Sequence, residues 1–274
     1  MNFMPTSLLE NFKKFINIVE DKSFEEINNL NFNHLSASLI LPLLQYIESH
    51  NIGKYNFYNS LEGYFEEIVS QKKECNSQFY FMKLKKFPKN YFYHSNKIDK
   101  YVVNCSDDIL ESIPIDLDYT GTYFLLFELL NNVFKHSLFE SAYVLCQTIL
   151  DENIVEICII DNGISIPKSL SGNNLSFFND SEAIFKAING ATSDKEKEKL
   201  KGRGLNTCAN IISFGFEEEL LIASRNGLVT VNKYGVKCMD DMDSFLEGTL
   251  ICLRINTKKF NIYNYLKHIE FKRL

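Results

Sequence analysis

Five runs of strand-forming residues, at 141–150, 154–161, 219–224, 227–233 and 248–255, constrain the fold of this chain more than any other feature. They are short, bounded by turn residues, and grouped apart from helical patterns at 118–136 and 205–214. Helices segregated from successive hairpins suit an α+β two-layer sandwich of helices on a mainly antiparallel sheet, and not a doubly wound parallel sheet. A long polar segment with short helices, 167–201, interrupts the series.

Upstream, the pattern changes. Leu8, Leu9, Phe12, Phe15, Ile16 and Val19 recur at helical spacing. An extended piece at 27–32, an apolar helix at 35–47, a strand at 54–58 and a helix at 61–69 then read as a small α/β unit. Pro42 falls within the apolar helix, where it either sits in the first turn or kinks it. The polar stretch 70–76 marks a boundary, which divides the chain into an accessory unit at 1–75, a larger α+β domain at 76–257 and a C-terminal segment at 258–274. That last segment reads as a short amphipathic helix with Phe260, Ile262, Tyr265 and Leu266 inward.

Charge and cysteine usage set outer limits on function. The 274 residues carry 29 basic and 35 acidic side chains, a net charge of −6, which argues against electrostatic wrapping of nucleic acid or an anionic membrane. The longest apolar stretch near the N-terminus falls short of the roughly 20 residues of a membrane span, and the first residues show no export signal. Seven cysteines, Cys75, Cys105, Cys146, Cys158, Cys208, Cys238 and Cys252, form no metal-ligand spacing. An odd number of scattered thiols fits a reducing, cytoplasmic compartment.

Four local patterns carry chemistry. On the helix at 118–136, Glu128, Asn132 and His136 share one face while Leu126, Leu129, Leu130 and Val133 take the other. A carboxylate and a carboxamide one turn apart can hold a water and an oxygen-ligated cation such as Mg²⁺, although the same stripe also fits a solvent-facing helix. Second, Ile159-Ile160-Asp161-Asn162-Gly163 is an apolar strand ending in an acid and a glycine turn. A carboxylate buried there can accept a hydrogen bond from an adenine amino group, or the segment is a simple turn. Third, Lys201-Gly202-Arg203-Gly204-Leu205 opens a helix, where free N–H groups and two cations suit phosphate. Fourth, Glu247-Gly248-Thr249 places a small residue and a hydroxyl at the start of the last strand.

In this order the four patterns resemble the GHKL ATPase superfamily, the histidine-kinase-like group that includes DNA gyrase B subunits, MutL proteins, heat-shock chaperones and bacterial sensor kinases. The resemblance covers about 79–257 and implies the Bergerat fold, a two-layer α/β sandwich that binds ATP between its sheet and a lid. It implies Asn132 as the Mg²⁺ ligand, Glu128 as the water-activating base, and Lys135 and His136 facing phosphate or ribose. It further implies Asp161 and Gly163 as the adenine-reading turn, Gly202, Arg203 and Gly204 near the phosphates, and Thr249 beside Asp161. Two positions depart from the family pattern. Ser165 stands where a second glycine is usual and Asn206 where a third is usual, and both residues restrict the backbone more than glycine does.

The resemblance implies a Mg²⁺-dependent ATP-binding protein with slow hydrolysis coupled to lid closure and to association with a protein partner or a second copy. Two alternatives stand beside it: an anti-sigma-type protein serine kinase or regulatory module, and a nucleotide-dependent scaffold without turnover. The upstream histidines His34, His50 and His94 lack the setting of a phosphoacceptor. Segments 24–32, 35–47 and 55–58 faintly resemble a STAS-type domain, with Ser36 or Ser38 at the acceptor position. No strand-passing transducer pattern follows the last strand.

Overall fold

A computed structural model of the chain describes residues 7–20, 36–50, 77–87, 95–172, 175–191, 204–214, 218–239, 246–263 and 265. Seven strands form one antiparallel sheet: β1 (Ser77–Lys83), β2 (Ala142–Ile149), β3 (Ile154–Asp161), β4 (Glu219–Arg225), β5 (Gly227–Asn232), β6 (Gly235–Met239) and β7 (Leu246–Asn256). Their spatial order is β1-β2-β3-β7-β4-β5-β6, so β7 inserts between β3 and β4. The registers set Asp161 opposite both Ala142 and Thr249, and Thr249 opposite Ser224. One end of the sheet therefore gathers four strand termini.

The expected strands appear within two residues of their predicted limits, because each combines β-branched residues with turn residues at its ends. β1 and β6 were not anticipated. β6 is exposed along most of its length, so it lacks the apolar pattern that a sequence reading needs.

Four helices cover one face: α3 (Ser95–Glu111), α4 (Tyr119–Asn132), α6 (Asp180–Ile188) and α7 (Gly204–Ser213). Val102, Ile109, Leu125, Leu129, Ile184 and Ile212 pack there against Val144, Ile157, Ile159, Ile222 and Leu253. A short α5 (Ile166–Ser171) follows β3. The opposite face is covered by α1 (Leu8–Glu20) and α2 (Ala37–His50), whose Phe12, Phe15, Leu39 and Leu43 form a second core with Tyr143, Leu145, Ile160 and Leu250. The two layers expected from sequence thus gain a third, and buried residues alternate between the two cores along β3 and β7. Pro42 lies past the first turn of α2. The upstream extended segments and the helix at 61–69 fall outside the described residues.

A polar cluster joins the N-terminal helices to the sheet. Arg254 on β7 and Glu156 on β3, directly opposite in register, form a buried ion pair, with Nε of Arg254 2.9 Å from Oε1 of Glu156. The other oxygen of Glu156 accepts from the hydroxyl of Ser36 at 2.5 Å and from the backbone N–H of Ala37 at 3.1 Å. Arg254 also reaches Glu219 at 3.7 Å, and Glu219 accepts from the backbone N–H of Leu8 at 3.0 Å. Each carboxylate therefore meets a helix N-terminus, where its charge is favoured by the helix dipole.

Candidate functional site

A second buried polar cluster lies at the end of the sheet that gathers Asp161, Thr249 and Ser224. Asp161 is buried, and Oδ1 accepts from the N–H of Gly163 at 2.9 Å. Burial pushes its pKa up to about 7, opposed by that single hydrogen bond. Thr249, also buried, lies opposite on β7 with its side chain on the same face of the sheet. Ser224, on β4, donates its hydroxyl to Gly248 O at 2.8 Å and lies 3.0 Å from Thr249 Oγ1. Gly248 takes φ +77°, and a Cβ there would collide with the backbone of Asp161. Only glycine lets β7 start this close to β3.

The second part of the site comes from α4. Asp118 caps its N-terminus by accepting from Gly121 N at 3.1 Å, and the helix ends in a π-helical turn, Val133–Ser137. Phe134 fixes that turn from inside, edge-on to Tyr101, Phe87 and Phe139 at centroid distances of 5.5, 5.9 and 5.5 Å. Single π turns inside α-helices occur often at functional sites. Here the turn delivers the carbonyl of Ser137 to the N–H of Ile164, and Gly163 packs so closely on the same carbonyl that a Cβ would overlap it. The end of α4 and the turn after Asp161 are thereby locked together.

Glu128 and Asn132 lie one turn apart along α4, just before this junction. Burial raises the pKa of Glu128, partly offset by the charge of Lys135. Its Oε2 occupies the space where a Cβ of Gly204 would be, so the start of α7 abuts the carboxylate. Nδ2 of Asn132, Oδ1 of Asn131 and Oγ of Ser137 are buried without hydrogen-bond partners among the described residues. Such atoms are costly unless something else satisfies them. Lys135 and His136 are exposed on the π turn, Lys135 within 3.8 Å of Asp99. Leu205 is half-buried against the helical core.

Lys201, Gly202 and Arg203 lie outside the described residues. The other motif residues fall into two groups: Asp161 and Thr249 face each other at this end of the sheet, with Gly163 against Ser137, while Glu128 abuts Gly204 and lies one turn before Asn132 on α4. Ser224 was missed by sequence reasoning: a serine ending a strand carries no local signal, and only the register beside Thr249 reveals it.

The two positions that depart from the glycine pattern both have structural work. Ser165 caps α5, accepting from Lys168 N at 3.3 Å, and the next residue, Ile166, donates its N–H to Ser224 Oγ at 3.1 Å. Asn206, on the first turn of α7, donates Nδ2–H to Ile188 O at the end of α6 at 2.7 Å and accepts from Asn210. Ser165 thus orders the start of α5, whose Ile166 N–H reaches β4, and Asn206 joins the start of α7 to the end of α6.

Ser36 and Ser38 are buried, with their hydroxyls 2.7 Å apart and Ser36 bonded to Glu156, so in this conformation neither presents a free hydroxyl. His34 and His94 lie outside the described residues, and His50 stacks on Tyr46. Described cysteines are free thiols. Among the described residues no cluster of three His, Cys, Asp or Glu side chains is placed to hold a metal, and no helix is long and apolar enough to cross a membrane. No family model, curated protein or solved structure matches this chain.

Proposed function

We propose that the chain binds ATP at this end of the sheet in the manner of GHKL ATPases, within a Bergerat fold, and hydrolyses it slowly. The observation that carries the reading is the pairing of sequence-distant patterns: a buried carboxylate at the end of β3 directly opposite a hydroxyl on β7, and a Glu–Asn pair on α4 whose carboxylate abuts a glycine-opened helix. In this reading the Asp161 carboxylate accepts from the adenine amino group. The N-terminus of α7, with Lys201, Gly202 and Arg203 just before it, meets the phosphates.

Asn132 supplies an amide oxygen, the chemistry Mg²⁺ prefers, and its amide nitrogen, without a partner among the described residues, suits a side chain that a ligand orients. Mg²⁺ would supply charge neutralisation on the phosphates. Glu128, with its pKa raised by burial, takes a proton from the attacking water and returns it to solvent as the carboxylate is restored. Closure of the 165–204 segment over nucleotide would bias the chain toward association with a protein partner or a second copy.

Incubation with γ-labelled ATP and Mg²⁺, followed by a phosphate-release assay and a gel for labelled protein, tests the reading. Release without labelled protein supports hydrolysis. Label on a protein serine would favour a kinase, and binding with neither outcome would favour a nucleotide-dependent scaffold.

A further inference from the structure

The hydrogen bonds of Ser224 leave no freedom in the orientation of the Thr249 hydroxyl. A serine hydroxyl has one hydrogen and two lone pairs. Ser224 gives its hydrogen to Gly248 O at 2.8 Å, because a carbonyl can only accept. One lone pair takes the N–H of Ile166 at 3.1 Å. The remaining contact is Thr249 Oγ1 at 3.0 Å, and with the Ser224 hydrogen already committed, Thr249 must be the donor in it. Thr249 then turns its own hydrogen toward Ser224 and has only lone pairs left to offer elsewhere. Asp161, its neighbour across the strand pair, is an acceptor as a carboxylate.

We propose that Ser224 is a positioning residue that makes this cluster an acceptor pair, so that the site selects a purine with an amino group at the six position over one with a carbonyl there. The inference rests on the nucleotide reading above. An amino group donates hydrogens to both acceptors. With Asp161 ionised, as it is above about pH 7, a six-position carbonyl, as in inosine nucleotides, sets an oxygen against two acceptors that have no hydrogen to donate to it. The same hydroxyl holds the N-terminus of α5, so base recognition and the leading stem of the 165–204 segment share one atom.

Calorimetric binding of Mg-ATP and Mg-ITP at about pH 8, where Asp161 is ionised, to the full chain and to Ser224→Ala, Ser224→Thr and Thr249→Val variants tests the assignment, with circular dichroism to verify folding. Wild type is expected to prefer ATP by at least about tenfold. Ser224→Ala frees the Thr249 hydroxyl to rotate and donate, and shrinks that preference by about tenfold, while Ser224→Thr keeps it. Thr249→Val removes the acceptor while Ser224 keeps its bonds to Gly248 and Ile166, and shrinks the preference as well, which keeps the test alive if Ser224→Ala does not fold. A wild-type ratio near one, or ATP binding with a ratio unchanged in the variants, overturns the role of Ser224 and leaves the nucleotide reading standing. Wild type that binds neither nucleotide overturns the nucleotide reading and this inference with it.

Discussion

Replacement of Arg254 by Met should be among the most damaging single changes in the chain, although the residue lies far from the candidate site. The charges around it balance. Glu156 and Glu219 contribute two negative charges and Arg254 one positive, and the N-termini of α1 and α2 each present about half a positive charge. Arg254→Met preserves the aliphatic stem but leaves the fully buried Glu156 facing only Ser36 and the start of α2. Breaking a buried pair from one side costs about 3–5 kcal/mol, against a total stability of about 5–15 kcal/mol for a typical domain. The loss corresponds to a fall in Tm on the order of 10 °C for a chain of this size. Urea unfolding of wild type, Arg254→Met, Glu156→Gln and the double variant measures it. The double variant should recover most of the loss, because Gln can still accept from Ala37 and no buried charge remains. Limited proteolysis should cut first near α1 and α2 in the single variant, whose anchoring carboxylate has lost its counterion. A loss below about 1 kcal/mol, or a double variant no better than Arg254→Met, would refute the charge-balance reasoning.

Further outcomes follow from the site. Because burial raises the Asp161 pKa to about 7, the folded state holds that proton more tightly than the unfolded state, whose carboxyl titrates near 3.8. The Asp161 contribution to stability therefore declines as pH rises from about 3.8 to about 7. ATP affinity, which needs the carboxylate, should instead fall about tenfold per pH unit below about 7, measurable by calorimetry. Glu128→Gln should retain ATP binding within about twofold and lower phosphate release by about 10²-fold or more; hydrolysis at the wild-type rate would remove Glu128 from the base role. Gly248→Ala should lower Tm by about 5 °C, since the new Cβ meets Asp161 at a left-handed φ. Asn206→Ala should cost about 1 kcal/mol and speed hydrogen exchange at the end of α6, where Ile188 loses its partner.

The sequence by itself determined the five main strands, the helix carrying Glu128 and Asn132, and the helix opened by Gly204. Those signals are local: apolar periodicity, and glycine or asparagine at the turns. It also carried an unread sign of the third layer. β3 is buried along its whole length and β7 along nearly all of it, with little polar alternation, as strands covered on both faces must be. Glu156 and Arg254 were likewise visible as lone charges inside apolar strands, positions that demand a partner, but nothing local names which one. Tertiary structure alone decided the insertion of β7 between β3 and β4. That single placement sets Thr249 against Asp161, Ser224 against Thr249 and Arg254 against Glu156. Strand order depends on contacts between residues remote in the chain, which no window of sequence contains, and the polarity of the Thr249 hydroxyl exists only once those strands have paired.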